Sequence, residues 1–375
     1  RSWNPEEVFA LSGTRHYNSY WGYQEGWVRS ARVRHTPLPA LYASWDIDDR
    51  YILSRLNLSA FVQAGRTSRT SLDWADVSNP QPDHYTYLPS HQSDPDATAL
   101  LAEVWRTNNT DFTQINFAKI YEAAALQPNR SPYLLSEERS DLFTAKIDLS
   151  GQLLGTHHRR LGVRGGYHRS HNYNVVADLF GAQSANPNAF TPYDYTPTQA
   201  EWSLYATLRE RLWGGSFYGS VEFGGQTIAY RSRTTAYSAE HSFTLLRAQL
   251  AWSRPLTDNL SGGLNGYFNH SAPYWGDIYG SAEGTMAVNR FGKGATIGSG
   301  QMWGRWEGGP LVVFTSLYAE ICGNMSHSEN YWDAPSATYS TLLAGNLATL
   351  AVGVQLSVEA RLTSSLKLEC HLGLS

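Results

Sequence analysis

Hydrophobic and polar residues alternate along several long segments of the chain. In "ATLAVGVQLSVEARLTSS", apolar residues occupy every second position over the fifteen residues from Ala348 to Leu362, and most residues between them are polar. A period of two is typical of a β-strand with one apolar and one polar face. The usual strand has only about five or six residues. This segment therefore predicts an unusually long strand.

The same alternation recurs through the chain. It is clear in "RYILSRLNLSAFVQAG" at 50–65 and in "SDLFTAKIDLSGQLL" at 140–154. Together with 348–362, these segments belong to a set of about twelve predicted strands that have few helices between them. The remaining strands are predicted at 33–46, 159–176, 199–212, 216–230, 241–254, 260–271, 299–307, 310–325 and 366–375.

The connections between the predicted strands alternate in length. Short turns are predicted near 47–49, 156–158, 213–215, 255–259, 308–309 and 363–365, and long links at 66–138, 177–198, 231–240, 272–298 and 326–343. Outer-membrane barrels have short turns on the periplasmic side and long loops outside. The alternation predicts an all-β fold, an antiparallel transmembrane β-barrel with long extracellular loops.

Charged residues on the polar face agree with a barrel. A β-sandwich would have to pair each buried charge at considerable cost, whereas a wet or plugged lumen accepts charges. The alternation in the predicted strands places six residues on the polar face: Arg55, Lys146, Asp148, Gln355, Glu359 and Arg361.

Composition narrows the class of protein further. The 375 residues are 42% hydrophobic and 17% charged, which suits a large ordered structure. A net charge of −4 gives no support to nucleic acid as a partner. Cys322 and Cys370 are too few for a disulfide framework and too far apart for a zinc site. No window approaches 18 consecutive apolar residues, so no transmembrane helix is predicted.

Both ends of the chain are expected to continue into a longer barrel. The first predicted strand, 33–46, ends in a short turn and so descends to the periplasmic side, which puts residues 1–32 on the outer side. The last strand ends in "LECHLGLS" and has no aromatic terminal residue. We therefore expect a barrel domain over 1–375 that is incomplete.

The link at 66–138 is too long for an ordinary connection. It contains Trp74, Tyr85 and Tyr87, followed by "DPDATALLAEVWRTNN", in which Asp94 or Asp96 is suited to cap a short helix through Trp105. The aromatic rings either pack the arm against itself, as an ordered long loop requires, or contact a ligand. We expect an extracellular insertion with short helices that partly covers the barrel mouth and contributes to ligand capture.

Three stretches resemble the TonB-dependent receptors of the Bacteroidetes type. They are "YWGYQEGWVRSARV" at 20–33, "LDWADVSNPQPDHYTYLPS" at 72–90 and "LSVEARLTSSLKLECHLGLS" at 356–375. The resemblance implies an outer-membrane receptor that imports a scarce nutrient, of the siderophore, vitamin, glycan or peptide class, when the TonB complex acts on its plug domain. It also implies a 22-stranded barrel, of which this chain would supply about twelve strands without the plug.

The first two of these stretches supply the candidate ligand-binding residues. These are Trp74, Tyr85 and Tyr87 in the arm, and Trp21 and Tyr23 near the start of the chain. The expected partners are outer-membrane lipid, a small or oligomeric nutrient, and the TonB complex through a plug outside this chain. No cofactor or metal is expected.

The alternative to a receptor is a self-contained twelve-stranded barrel that acts as a passive pore, a surface-binding protein or a hydrolase. For a hydrolase, "NHS" offers His270 and Ser271, but adjacent strand residues point to opposite faces and cannot form a dyad. The protein is therefore expected not to be an enzyme.

Two metal-like patterns have simpler explanations. "DIDDR" at 46–50 lacks the Gly and distal Glu of a calcium loop and is expected to be a hairpin turn. His157, His158, His168 and His171 are expected not to gather in one metal site, because they divide between a turn and an outer loop.

Overall fold

The chain divides into two compact units that interleave along the sequence. The computed structural model describes residues 4–48, 53–153, 158–186, 193–234, 236–272, 294–333, 338–361 and 367–374. Unit 1 comprises Arg1–Leu38, Gly65–Asp141 and His171–Asp194, and unit 2 comprises Pro39–Ala64, Leu142–Ser170 and Tyr195–Ser375.

Strands account for most of the described residues. In chain order, the helices and strands are α1 (Pro5–Ser12), β1 (Trp21–Gln24), β2 (Trp27–Ser30), β3 (Arg34–His35), β4 (Ala40–Ile47), β5 (Leu53–Trp74), α2 (Pro95–Arg106), α3 (Thr110–Thr113), β6 (Ile115–Asn116), α4 (Phe117–Ala125), β7 (Tyr133–Leu153), β8 (Arg159–Asp178), β9 (Asp194–Leu212), β10 (Gly215–Ser232), β11 (Ser238–Pro255), β12 (Leu260–Ser271), β13 (Ala295–Gly308), β14 (Leu311–Asp333), β15 (Thr338–Arg361) and β16 (Lys367–Leu374). Two 3₁₀ turns lie at Tyr85–Tyr87 and Pro89–His91.

The long strands form one sheet of 13 members. Its order is β16-β15-β14-β13-β12-β11-β10-β9-β8-β7-β5-β3, and β4 also pairs with β5. From β9 to β16, each strand pairs antiparallel with the next strand in sequence. The predicted all-β antiparallel fold with long strands is therefore confirmed. No described helix is long and apolar enough to cross a membrane.

Tight turns join several of these strands. Between β9 and β10 the chain reverses in two residues, Trp213 and Gly214, which have φ values of 53° and 72°. Positive φ at both central residues defines the hairpin turn whose twist matches that of the flanking strands. Gly adopts this conformation without strain. The predicted turn near 213–215 is confirmed.

The predicted strand at 33–46 is wrong as a single element. It is divided into β3 and β4 by the segment Thr36–Pro39, which contains Pro37 and Pro39. Proline has no backbone N–H to donate to a sheet, so the two prolines interrupt the pairing.

Three of the predicted long links are shorter than expected. The arm begins after Trp74 and ends before Tyr133, because β5 continues beyond Gly65 through "RTSRTSLDW" and β7 starts before Arg139 with "YLLSEE". Neither stretch alternates strictly between apolar and polar residues. The predicted link at 231–240 shrinks to the residues between Ser232 and Ser238. The predicted link at 326–343 is largely strand, since β14 extends to Asp333 and β15 starts at Thr338. The predicted turn at 363–365 lies outside the described residues.

A second, three-stranded sheet belongs to unit 1. Strand β1 pairs antiparallel with β2 and parallel with β6, through Gly22 opposite Ile115. A side chain on Gly22 would collide with the carbonyl oxygen of Ile115. The glycine in "WGYQ" therefore allows the first segment of the chain to approach the arm.

Unit 1 has its own hydrophobic core. The main cluster joins residues from all three of its sequence segments: Ala31, Leu72, Ile115, Phe117, Ile120, Ala124, Tyr133, Leu135 and Phe180. A smaller cluster contains Val8, Leu88 and Trp105. Helix α2, which is capped by Asp94 accepting from the N–H of Asp96, supplies Trp105. The predicted helix through Trp105 is thus confirmed, with Asp94 as its cap.

Replacing Gly22 with alanine tests the close approach of β1 and β6. We expect Gly22→Ala to destabilise unit 1 by about 1–3 kcal/mol, because the added methyl group forces the strands apart. Hydrogen exchange of the amides in β1, β2 and β6 should accelerate. Gly300→Ala is the control, since its added methyl group would meet nothing within 4 Å. Equal exchange rates in the two variants would contradict the prediction.

Candidate functional site

The five predicted ligand-binding residues all lie in unit 1, at three different places. Trp74 is at the end of β5, Tyr85 and Tyr87 are on the first 3₁₀ turn, and Trp21 and Tyr23 are on β1. The aromatic residues selected from the sequence therefore all belong to unit 1, but they do not line a single pocket.

Trp74 borders a cavity of about 570 Å³. Tyr20, Arg32, Arg69 and Asp73 also line this cavity, and Trp74 itself packs partly against the main core cluster. The Arg32 guanidinium lies 4.7 Å from the centroid of the Tyr20 ring. An arginine stacked on an aromatic ring, with a second arginine in the same cavity, can bind a planar or anionic group through charge-assisted hydrogen bonds and stacking.

Tyr87 and Tyr85 have different surroundings. The hydroxyl of Tyr87 donates to the carbonyl oxygen of Asn79 at 2.8 Å, and its ring lines a second cavity of about 390 Å³. The Tyr85 ring is 44% exposed, with centroids 4.3 Å from His84 and 5.0 Å from His91. Tyr87 therefore contributes to the internal packing of the arm, whereas Tyr85 belongs to an aromatic group at its surface.

Trp21 and Tyr23 point to the same side of β1, as residues two apart on a strand must. Their ring centroids lie 5.6 Å apart in an edge-to-face arrangement. The neighbouring strand adds Trp27 and Val28, which are 79% and 68% exposed. The hairpin of β1 and β2 thus presents apolar surface that the sequence reasoning identified only in part.

An arginine that was not predicted organises the centre of unit 1. The guanidinium of Arg29 lies 5.0 Å from the ring centroid of Phe117 and 5.1 Å from that of Phe180. It donates to Asp178 Oδ2 at 2.5 Å and to the hydroxyl of Tyr121 at 3.1 Å. Cation–π contacts and charge-assisted hydrogen bonds both strengthen when the groups are shielded from water.

Phe180 reaches this arginine through an unusual backbone conformation. Its φ is 55°, and its side chain is only 1% exposed. A bulky residue rarely adopts positive φ and does so where the surroundings fix it. Here the N–H of Phe180 donates to Asp178 Oδ1 at 2.7 Å, so Asp178 both pairs with Arg29 and shapes the turn. Sequence reasoning missed this site because its Arg, Asp and aromatic residues are far apart in sequence and come together only in the folded chain.

A buried carboxyl group lies in the "NPQPDHY" segment. The side chain of Asp83 is 2% exposed, and its Oδ1 has no hydrogen-bond partner in the described part of the chain. Burial raises the pKa of Asp83, and burial together with the nearby Asp83 raises the pKa of Tyr17. Because the folded state holds this proton more tightly than the unfolded chain, ionisation of Asp83 reduces the stability of unit 1 as the pH rises.

In unit 2, charged side chains form a network on one face of the large sheet. Arg164 pairs with Asp148 at 2.7 Å, and Arg247 pairs with Glu222 at 3.4 Å. The Tyr205 hydroxyl donates to Asp148 Oδ1 at 2.9 Å, and Arg164 stacks 4.1 Å from the Tyr205 centroid. The predicted polar face that includes Asp148 is therefore present, with its charges paired across four strands.

The opposite face of the same strands is apolar and exposed. The odd-numbered residues Val221 and Phe223 of β10 flank Glu222 and are 48% and 53% exposed. Other exposed apolar side chains on the strands of unit 2 include Ile147, Val163, Trp202, Leu204, Leu250, Leu264, Met302, Leu317, Ile321, Leu350 and Val352. A contiguous apolar surface of this size marks contact with lipid or protein rather than with water.

The remaining chemical candidates do not come together. His168 contacts Thr144 and His171 contacts Asp194, while His157 lies outside the described residues. His270 contacts Thr296 rather than a serine. No cluster of three or more His, Cys, Asp or Glu residues suited to a metal was found within the described ranges.

The two cysteines are both free. Cys322 lies on β14 opposite Thr349 of β15, and Cys370 lies on β16 opposite Val358 of β15. Thr349 and Val358 are an odd number of residues apart on one strand, so the register places the two cysteines on different faces of the sheet.

Comparison with known proteins identifies the fold. No protein-family model matches the chain, and no curated protein resembles its sequence. Among solved structures, the copper transporter OprC matches with a TM-score of 0.53 and 9% identity, over 90% of this chain and 46% of OprC. The ferric citrate transporter FecA matches with a TM-score of 0.47 and 11% identity, over 86% of this chain and 39% of FecA. The FrpB iron transporter from Neisseria meningitidis matches with a TM-score of 0.47 and 11% identity, over 91% of this chain and 43% of FrpB.

The likeness to OprC assigns the chain to the β-barrel fold of outer-membrane transporters. The exposed apolar face of the sheet is the surface that such a barrel turns to lipid. The chain spans about half the length of OprC.

Removing Arg29 tests the organising cluster of unit 1. We expect Arg29→Met to cost roughly 3 kcal/mol, because Asp178 then remains shielded without its partner. Arg29→Lys should be nearly as damaging, since lysine keeps the charge but loses the planar stacking and the multiple donors. Hydrogen exchange in α4 and in residues 171–186 measures the effect.

The control is Arg106→Met, which removes an exposed ion pair with Glu103. Exposed pairs of this kind contribute about 0–1 kcal/mol, so this variant should exchange like the wild type. Full protection in Arg29→Lys would show that charge alone is sufficient and would contradict the role assigned to stacking.

Proposed function

We propose that this chain is part of the barrel of a TonB-dependent receptor that imports a scarce nutrient across the outer membrane. The observation that carries the proposal is the two-sided sheet, with Phe223 and its neighbours exposed on one face and Glu222 paired with Arg247 on the other. A lipid-facing exterior and a polar interior are what a transport barrel requires. The resemblance at 20–33, 72–90 and 356–375 supports the receptor class.

Energised import would belong to a longer protein. In this proposal, further strands complete the barrel, and a plug domain outside this chain transmits the action of the TonB complex. The structural neighbour OprC is a copper transporter. This supports a scarce nutrient as cargo, and the proposal leaves its class among siderophores, vitamins, glycans and peptides.

In this proposal, the segment 66–138 is an extracellular insertion that helps to capture the ligand. Its core, its short helices and its two cavities support an ordered binding element rather than a flexible loop. Trp74 at the first cavity and Tyr87 at the second are the favoured contacts among the predicted residues. Tyr85, Trp21 and Tyr23 would contribute exposed aromatic surface.

A charged residue on the apolar face tests insertion into the membrane. We expect Phe223→Arg to hinder insertion, because arginine near the middle of the bilayer costs about 2–4 kcal/mol in a barrel. Ser220→Arg, which changes the polar face of the same strand, is the matched control. The folded fraction in the membrane is read from the heat-dependent migration of the unboiled protein. Equal insertion of the two variants, or solubility without detergent, would contradict the proposal.

Import is tested in cells that express the complete gene. Uptake of one component from a defined mixture of siderophores, cobalamins, oligosaccharides and peptides should stop when a protonophore removes the proton gradient. Deleting residues 75–128 should reduce binding of that component at the cell surface. Gradient-independent uptake would indicate a passive pore, and surface binding without accumulation would indicate a protein that only anchors its ligand.

A further inference from the structure

We infer that the first cavity of unit 1, which Trp74 borders, binds an aromatic carboxylate. Its volume of about 570 Å³ lies within the range of small-molecule pockets, about 300–1,000 Å³. All of its lining residues belong to unit 1. The inference rests on the proposed receptor function for its biological role, but the binding itself can be measured whether or not the protein imports its ligand.

Two arginines of the lining have no ion-pair partner among the described residues. They are Arg32 and Arg69, and both are exposed. Other arginines of unit 1 do pair with Asp or Glu, namely Arg29, Arg66, Arg106, Arg130 and Arg139. The two guanidinium groups at this cavity therefore remain available to an anionic ligand.

A third arginine adds to the positive charge beside the cavity. Arg34 lies directly opposite Arg69 in the antiparallel pairing of β3 with β5, and it too has no ion-pair partner in the described ranges. Like charges directly opposite each other on a sheet are destabilising. An anion bound at Arg69 relieves this repulsion, so the arrangement favours an anion over a cation or a neutral sugar.

The two segments that carry Arg32 and Arg69 are fixed to each other through Thr70. Thr70 Oγ1 accepts from the N–H of Val33 at 2.7 Å and donates to the carbonyl of Ala31 at 3.0 Å. The N–H of Thr70 donates to the carbonyl of Val33 at 2.9 Å. Because the backbone on both sides of Arg32 is already anchored, a ligand loses little energy to reorganisation of the protein.

The free hydrogen-bonding groups of the lining include two further donors. The Tyr20 hydroxyl and the Trp74 indole N–H have no hydrogen-bond partner among the described residues. Neither atom is among the described side-chain atoms that are both buried and unpartnered, so a ligand can reach both. The carboxylate of Asp73 already accepts from Ser136 Oγ at 2.6 Å. Free donors beside an occupied acceptor favour a ligand that brings acceptors, as a carboxylate does.

Aromatic surface in the lining favours a flat ligand. The Arg32 guanidinium lies 4.7 Å from the centroid of the Tyr20 ring, and Trp74 is half-buried beside the same cavity. A guanidinium stacks on aromatic faces and pairs through its edge with a carboxylate. An aromatic carboxylate offers both surfaces in one plane, a ring for stacking and two oxygens for the arginines.

The charge of the lining matches a ligand with one negative charge. Arg32 and Arg69 contribute two positive charges, and Asp73, when ionised, contributes one negative charge, which leaves one positive charge over. A single carboxylate neutralises that charge. A phosphate dianion would place an excess negative charge beside Asp73, where the two would repel each other.

The test is calorimetric titration of the full chain in detergent with naphthoate. We expect saturable binding that weakens as the salt concentration rises, because salt screens the exposed arginines. Naphthamide, which has the same shape without the charge, should bind at least about tenfold more weakly, since a hydrogen bond to a charged group is worth about 1.5–3 kcal/mol. Cyclohexanecarboxylate tests the ring, and phenyl phosphate tests the choice of carboxylate. Both should bind more weakly than naphthoate.

Two variants should change the affinity for naphthoate in opposite directions. Arg32→Gln should weaken binding by about tenfold, because it removes one charged donor. Asp73→Asn should strengthen binding, because it removes a negative charge at nearly constant shape, and a loss of folding would not produce a gain. Arg15→Gln is the matched control, since Arg15 is an exposed arginine 5.5 Å from the Phe9 ring centroid and lies outside the cavity.

The inference is overturned if the wild type fails to bind naphthoate at millimolar concentration or if naphthamide or phenyl phosphate binds as tightly. It is also overturned if Arg32→Gln binds like Arg15→Gln, or if Asp73→Asn fails to strengthen binding. Naphthoate binding without energised uptake in cells would contradict import while leaving this site in place.

Discussion

Water cannot favourably solvate both faces of the large sheet, and this constraint governs the rest of the molecule. Along β10, apolar side chains such as Val221 and Phe223 alternate with polar ones such as Glu222. The charged side chains of the polar face form ion pairs between strands. The side chains of the apolar face cannot be paired in this way and require a lipid environment. The length and the pairing of the strands follow from that requirement, because every backbone N–H and C=O within lipid must be paired.

Unit 1 has a hydrophobic core of its own, separate from the large sheet's alternating faces. It also caps its helices, as Asp94 does for α2. Arg29 of β2 connects elements that the hydrophobic effect alone would not orient, because its side chain contacts α4 and the end of β8 at once. A pair of this kind stabilises only when its geometry is good and its hydrogen bonds are complete, which holds here. Unit 1 is therefore held together by polar contacts as well as by its core.

The sequence was most informative where one physical signal dominated. Period-two alternation identified the long strands, since a strand between lipid and a polar interior must alternate. The same signal failed in residues 66–74, "RTSRTSLDW", because β5 continues there with polar residues on both faces as far as Ser71. It also merged β3 with β4, because side-chain alternation does not show the backbone N–H groups that Pro37 and Pro39 lack. Three links inferred from the gaps between alternating segments were correspondingly too long.

The site was predictable only in part, for reasons of distance along the chain. Aromatic residues such as Trp74 and Tyr87 stand out by type, and both line cavities. Nothing in the sequence distinguishes Arg29 from a surface arginine, because its partners Asp178 and Phe180 lie about 150 positions later in the chain.

The interleaving of the two units has a consequence for the order of assembly. Unit 1 draws on three separate stretches of sequence, and its main core joins residues from Ala31 to Phe180. Between those stretches run parts of β5, β7 and β8 that belong to unit 2. The core therefore depends on contacts between residues far apart in the sequence, and such contacts form slowly. Protection of the unit 1 core from hydrogen exchange therefore reports that all three stretches of sequence have come together.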